Sequence, residues 1–578
     1  MGRIVLLACL AAIACHPTRT RSPFDHQPTT DAEELCAFAR AFGYVRYFHP
    51  SDEAAATDWN RFAIDGTRQV LRASDRAQLH SALERLFTPV APTIAFHRAD
   101  EPPPPPVATS AGAVVQWQHL GFSFAREPSP TSSSVRLGTP SSSALFERRL
   151  EPGAFVDAPL GAGLLMRMPM TARIVDGHTI PTGHTPSSDA RALDADDPAV
   201  RQAAVVIAWN ALQHFYPYFD VLGTDWAAVL TASIADVLDD RNSTDLERTL
   251  LRMGAQLHDA HTMVRPPGTP PRAIPARMAR VEDQIIVLSA AAGSGLLRGD
   301  RVITIEGQPI DDALRDAAAL VSGSAARKDV VLLWYAAITF GAAGSTAKLA
   351  VQRGEEHVEV EVVRAGEPGL DLDLAPVHEL GDGLLYVDLR RVEWSEVEKR
   401  VLAARGIVFD ARGGALDWVP LLGHLARKAV PGQRTFVQRV IHPDRTDPAD
   451  AVVHDWSDLE LLSPKIEARV AFLVDARSMS SDETLLSLVV AHGAGVLVGE
   501  PSAGANGRFV AVPLPGGFSI SFTGEKTTGP GDQRIHAVGL QPDILAPRTL
   551  ADVGAGRDSA LERAREYVAD TAPLTASE

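Results

Sequence analysis

The alternation of apolar and polar positions changes three times between Val470 and Gly507. Val470 to Val474 is an unbroken apolar run, the mark of a buried strand, and the polar stretch after it predicts a turn. Leu485, Leu486, Leu488 and Val489 then supply the buried stripe of a helix closed by His492 and Gly493, and Val496 to Val498 predict the next strand. Ser480 stands at the turn. Its S-x-x-E spacing to Glu483, with Asp482 and Glu483 in the first helical turn, reads as a capping box. A serine on a tight strand-to-helix turn can equally project its hydroxyl, while the backbone N–H that follows stabilises an oxyanion. Both readings stand on the local pattern.

Carried along the chain, the same reading predicts a helical unit over 31–100 and a second over 195–268. Their punctuation repeats: Phe48-His49-Pro50 precedes Thr57-Asp58-Trp59, and Phe215-Tyr216-Pro217 precedes Thr224-Asp225-Trp226 with the same proline-to-tryptophan spacing. This predicts one helical unit used twice. Between them, Pro102 to Pro106 form an extended linker, and 107–185 alternate short apolar and polar runs with glycine, proline and serine turns, which predicts a β-rich module. The second unit ends in a helix with Leu246, Leu250, Met253 and Leu257 on one face and Thr244 and Glu247 spaced as a capping box. It runs into His258-Asp259-Ala260-His261-Thr262, which is either surface polarity or an acid–base site at a helix exit. Residues 273–366 contain a strand, the turn Gly295 to Asp300 and the strand Val302 to Ile305. In 367–570, strands at Leu384 to Leu389 and Gly406 to Phe409 alternate with helices, including Val419 to Lys428 and Asp558 to about Val568. That alternation predicts an α/β core with partly parallel strands and sites at their C-terminal ends.

A chain of 578 residues exceeds what one core accommodates, so the fold class is α/β and multidomain. The net charge of -17, from 72 acidic and 55 basic residues, speaks against nucleic acid as a partner. Arg3 followed by Ile4 to Ala14 reads as a signal-peptide core too short to span a bilayer. Ala12-Ile13-Ala14-Cys15 resembles a lipoprotein cleavage site. Residues 1–15 are thus expected to be a signal, Cys15 the lipidated residue and 16–30 a tether. The expected location is exported, as a periplasm-facing membrane lipoprotein or a secreted protein, with membrane contact by the lipid anchor only. Cys9, Cys15 and Cys36 are the only cysteines and make no disulfide framework; without CxxC or HExxH, neither a metal nor another cofactor is expected.

Taken in order, six motifs resemble the tail-specific, or C-terminal processing, serine protease family, closer to its tricorn-core-like Ser-His branch. They are Leu257 to Thr262, Gly295 to Asp300, Phe409 to Gly414, Arg477 to Glu483, Val496 to Gly507 and Val538 to Ile544. The resemblance implies a crotonase-like α/β protease core over 367–570 and a PDZ-like module over 273–366, whose kind adds peptide strands to a sheet edge. It implies hydrolysis of polypeptide substrates by Ser480 as nucleophile with His261 as general base, and the backbone N–H groups of Ser481 and Gly413 as oxyanion donors. Two positions depart from the family pattern. Bacterial processing proteases place a lysine base where this chain has Gly504-Ala505-Asn506, and Ala505 cannot take a proton. The tricorn-like subgroup places a glutamate where this chain has His536. Glu500, Asp259, Glu483 and His536 are therefore all candidates to orient the base. The alternative is a non-catalytic peptide- or lipid-binding protein on the same fold.

Overall fold

In a computed structural model of the chain, the described residues are 27–105, 113–122, 132–138, 144–185, 193–365, 374–446 and 449–570. Cys15, the proposed lipidation site, lies outside them. No helix among the described residues is long and apolar enough to cross a membrane.

Two helical units open the molecule. The first has helices α1 (Asp31–Phe48), α2 (Trp59–Val70) and α3 (Arg76–Phe87); the second has α4 (Pro198–Phe215), α5 (Trp226–Asp239) and α6 (Ser243–Ala255). Helices α1 and α4 each have 18 residues, and α2 and α5 both begin at a tryptophan capped by the aspartate before it, Asp58 or Asp225. The stripe Leu246, Leu250, Met253 and Leu257 is buried, each side chain contributing roughly 1.5–3 kcal/mol by leaving water. The cap of α6 differs from the expectation: Asn242, not Thr244, accepts from the first-turn N–H groups, because the helix begins at Ser243.

The parallel continues through the strands. After α3, strand β1 (Ala95–Arg98) pairs with the hairpin of β4 (Phe155–Gly161) and β5 (Leu164–Pro169). After α6, strand β7 (Val264–Arg265) pairs with the hairpin of β10 (Phe509–Pro513) and β11 (Ser519–Thr523). Phe155 opposes Pro169 and Phe509 opposes Thr523, while Pro159 opposes Leu165 and Pro513 opposes Ser519. The hairpins also share sequence, Phe-Val-x-x-Pro-Leu at 155–160 and at 509–514.

Strand β2 (Val114–Leu120) pairs with β3 (Ser133–Gly138) and β6 (Ala172–Val175), just as β8 (Arg434–Val440) pairs with β9 (Ala449–Asp455) and β12 (Lys526–Thr528). The two sets join antiparallel through β2 and β8, with Leu120 opposite Arg439 and His119 opposite Val440. Strands between 107 and 185 thus share a sheet with strands of the C-terminal part.

Residues Ala276–Val363 form a six-stranded sheet with helix Ile310–Ala318 over its own apolar core. The C-terminal core is a second six-stranded sheet in the order Val377–Gly381, Leu384–Asp388, Gly406–Asp410, Arg469–Val474, Val496–Gly499, Ile544–Leu545, parallel except for the first pair. One face packs on Trp418–Leu425 and on α7 (Ser481–His492), the other on Ser559–Ala569. Burial on both faces explains why these strands read as continuous apolar runs. The whole is a mixed α/β multidomain protein.

Candidate active site

Strands Gly406–Asp410 and Arg469–Val474 lie side by side, so the loops leaving their C-terminal ends meet at the edge of the sheet. One carries Gly413, the other Ser480. Asp482, in the first turn of α7, ties them together: its carboxylate accepts from Met479, Gly414 and Ala415 at 3.2, 2.8 and 2.6 Å. Burial pushes the Asp482 carboxyl up, and these N–H groups, with that of Gly413, pull it back down.

Ser480 sits at φ 59°, ψ -113°, outside the regions that non-glycine residues prefer. Its N–H is held by the Ala505 carbonyl at 2.8 Å. The capping box expected here does not form. With Ser480 in this conformation its side chain makes no cap hydrogen bond, and Glu483 turns inward instead. Fully buried, Glu483 accepts from the Ser502 hydroxyl at 2.5 Å and from the Gly504 and Ala505 N–H groups at 2.7 and 2.9 Å. Burial raises its carboxyl to about 7 despite these donors. Glu483 is therefore a brace beneath the loop that holds Ser480. Ser481 accepts from the Trp418 indole through its hydroxyl at 2.9 Å.

His261 is built from the other side. Strand period two puts Ser521 and Thr523 of β11 on one face, and both grip the loop after α6. The Ser521 hydroxyl donates to the His261 carbonyl at 2.7 Å and accepts from the Met263 N–H at 3.2 Å. Fully buried Asp259 accepts from the His261 N–H at 3.0 Å and from the Thr523 N–H and hydroxyl, each at 2.7 Å. The Thr523 oxygen lies 2.8 Å from His261 Nδ1, whereas Asp259 is 3.9 Å from it. The ring is 4% exposed and packs against Phe509, itself 50% exposed, with centroids 6.0 Å apart. Burial lowers the His261 pKa, with Asp259 opposing and Arg327 adding to the shift, so the imidazole is poised neutral, as a base must be.

Ala505 to Gly507 connects the two halves. Ala505 holds the Ser480 N–H, and Gly507, at φ 110°, lies so close to β11 that an added Cβ would come within 2.4 Å of the Glu525 carbonyl and 3.1 Å of Thr523 Cγ2. The Ser480 turn and the His261 support thus meet the same short stretch of chain, which spans at most about 3.6 Å per residue.

The remaining sequence candidates lie elsewhere. His536 is stacked on Tyr218 at 3.7 Å and contacts the Tyr216 hydroxyl at 3.0 Å; it makes no hydrogen bond to His261. Glu500 lines a cavity of about 330 Å³ together with Arg477, Arg548 and Trp334. His258, at φ 49°, is exposed. Sequence reasoning missed Thr523, since a lone threonine in a strand carries no local signal. No cluster of metal-ligating side chains occurs among the described residues.

Residues 399–546 match the family model of peptidase family S41. Among solved structures, mature CPAF is 15% identical with a TM-score of 0.51, over 64% of this chain and 96% of that one. Mature CPAF complexed with lactacystin is 14% identical with a TM-score of 0.50, over 64% and 97%. A serine-to-alanine mutant of CPAF is 12% identical with a TM-score of 0.52, over 65% and 99%. These likenesses are of fold. No curated protein matches the chain. On this match, residues 399–546 align with peptidase family S41, the tail-specific or C-terminal processing proteases, and the chain is a serine-type peptidase.

Proposed function

We propose that the chain is an exported endopeptidase in which Ser480 attacks the peptide carbonyl and His261 is the general base. The observation that carries this reading is the Ser480 conformation: a non-glycine residue at positive φ, at the start of a helix, whose hydroxyl does not cap that helix. In the first half-reaction a bond forms from Ser480 Oγ to the carbonyl carbon as the Oγ proton passes to His261 Nε2. The C–N bond then breaks, and the same proton goes to the leaving amine. Water then bonds to the acyl carbon as one of its protons passes to His261; the C–Oγ bond breaks, His261 returns that proton to Ser480 Oγ, and the acid leaves. In this reading the oxyanion donors are the Ser481 N–H and the Gly413 N–H, the latter turning from the Asp482 carboxylate to the substrate, each contributing about 3–4 kcal/mol as in comparable sites. Cys15 is the lipid anchor of the exported protein.

Labelling with a fluorophosphonate tests the nucleophile. Wild-type protein is expected to take one label, and Ser480→Ala none. A folded Ser480→Ala protein that labels as well as wild type would sink the assignment, and an unlabelled wild type that binds peptides saturably would support the non-catalytic alternative.

A further inference from the structure

Asp259 is too far from the His261 ring to hold it directly, at 3.9 Å from Nδ1. The Thr523 oxygen stands between them, 2.7 Å from Asp259 Oδ1 and 2.8 Å from His261 Nδ1. Its single hydrogen can go only one way. Asp259 already receives the backbone N–H groups of His261 and Thr523, so its carboxylate acts as an acceptor there, and the Thr523 hydroxyl must donate to it. The Thr523 oxygen then has only lone pairs to offer, so His261 Nδ1 carries the proton and Nε2 presents a lone pair. That is the tautomer a general base needs.

The first unit is an internal control for this arrangement. Counting along both units from the helix end (Phe87 or Ala255) to the strand residue opposite the hairpin (Phe96 opposite Met166, Val264 opposite Ile520), Ala91 and Thr93 stand where Asp259 and His261 stand. In the hairpins, Pro169 stands where Thr523 stands, each opposite a phenylalanine. The same frame therefore forms with none of the three residues. None of the three is needed for the frame itself to form.

We infer that Thr523 is a positioning residue of the peptidase, a hydroxyl link through which Asp259 fixes the tautomer and orientation of His261. This rests on the reading of His261 as the base. It makes a Ser480–His261–Thr523–Asp259 chain in which the third and fourth members never touch substrate. The link also supplies an acceptor for Nδ1–H once His261 is protonated, so it favours the imidazolium formed after Ser480 is deprotonated.

The test is the second-order rate constant of fluorophosphonate inactivation, together with hydrolysis of fluorescein-labelled casein, measured from pH 5 to 9. Thr523→Val is expected to slow both by roughly 10²-fold, within the range that base catalysis supplies, with casein KM nearly unchanged. The acid limb of its profile moves to lower pH, because the imidazolium has lost its acceptor. Thr523→Ser restores both rates to within about 3-fold, a level set by the retained hydroxyl. Selective ¹⁵N-histidine spectra should show Nδ1 protonated in wild type and a mixed signal in Thr523→Val. Asp259→Asn provides a second route if Thr523→Val fails to fold: its amide can donate to Thr523, which then donates to Nδ1, reversing the tautomer and lowering the rates. Unchanged rates, acid limb and tautomer in folded Thr523→Val, with His261→Ala inactive, would overturn the link and leave the base assignment standing. Full activity in His261→Ala would overturn both. Thr523→Ser as impaired as Thr523→Val would reduce Thr523 to a packing role and overturn the inference.

Discussion

Residues Arg76–Arg98 and Ser243–Arg265 follow the same path from a capped helix to an edge strand paired with a hairpin, yet they hold different chemistry. In the first, Thr93 bonds the buried ring of His49 at 2.9 Å, and the loop closes as ordinary packing. In the second, the same positions carry the buried Asp259 and His261, locked to Thr523. The exposed phenylalanine of each hairpin shows the contrast as well. Phe155 lies under the Arg167 guanidinium at 4.4 Å, whereas Phe509 lies against the His261 ring. One frame thus serves as scaffold in one place and, on the proposed reading, as support for the general base in the other. The difference lies in a few side chains, and the frame tolerates either set.

The largest effect should come from making the second unit resemble the first. His261→Thr installs the residue found at the matching position of the first unit. It is expected to lower kcat/KM on casein by at least about 10²-fold, the low end of what general-base catalysis contributes. Because Thr93 occupies this position in a folded unit, the melting temperature should fall by no more than a few degrees. A variant that keeps its activity would show that the two units differ in decoration only.

The next effect falls on the chain that joins Ser480 to β11. Gly507→Ala puts a Cβ at positive φ against the Glu525 carbonyl. The strained backbone alone costs roughly 1–3 kcal/mol, and relieving the contact must move the loop that holds the Ser480 N–H. Loss of activity larger than the loss of thermal stability is the expected signature. Gly177, which turns the strand after the first hairpin, has open space around its Cβ position, and Gly177→Ala should leave activity untouched.

How much of this was legible in the sequence differs between the two units as well. The Pro-to-Trp spacing displayed the helical repeat, and the apolar runs displayed the core strands, because both patterns are local. The repeat of the hairpin was hidden. In the first unit three short strands separate it from its helices, while in the second the sheet at 276–363 and most of the α/β core intervene before Phe509. Phe-Val-x-x-Pro-Leu, present at both places, was the signal available, and it would have led to Thr523. The S-x-x-E spacing at Ser480 misled for a physical reason: a capping serine needs extended backbone, and Ser480 has positive φ. Spacing along a chain does not report that angle. Glu483 likewise gave no sign that it would turn from the helix end to the loop at Gly504 and Ala505.

Buried ionisable groups give the two parts opposite responses to pH. Burial lowers His49 to about 3 and His119 to about 4, below the value of about 6.5 for an unfolded histidine. The unfolded chain therefore binds the extra protons, and stability is lost as pH falls below about 6.5, by roughly 1.4 kcal/mol per pH unit for each ring. Glu483 behaves in reverse. Its folded value of about 7 lies above 4.5, so the stability it contributes is complete below 4.5 and is lost as pH rises through about 7. Thermal melts from pH 4 to 8 should show a maximum between these limits. His119→Gln is expected to reduce the slope on the acid side, and Glu483→Gln the slope toward neutral pH. Identical slopes in wild type and both variants would mean that other groups govern the profile.

The smallest effect separates the two phenylalanines. Phe509 is half exposed, so its removal costs little stability, but it covers one face of the His261 ring and keeps water from the neutral imidazole. Phe509→Ala should hydrate that ring and bring its pKa back up toward the ordinary histidine value, since burial is the main cause of its depression. The acid limb of the casein profile then moves to higher pH, and kcat falls by about 2- to 10-fold at pH 7, a change on the order of 1 kcal/mol. Phe155→Ala removes the matching side chain from a hairpin that supports no base. It loses only the contact with Arg167, worth about 0.5–1 kcal/mol at an exposed site, and the acid limb stays where it was. Equal shifts of the acid limb in both variants would place the effect in the shared frame; a shift in Phe509→Ala alone would place it at His261.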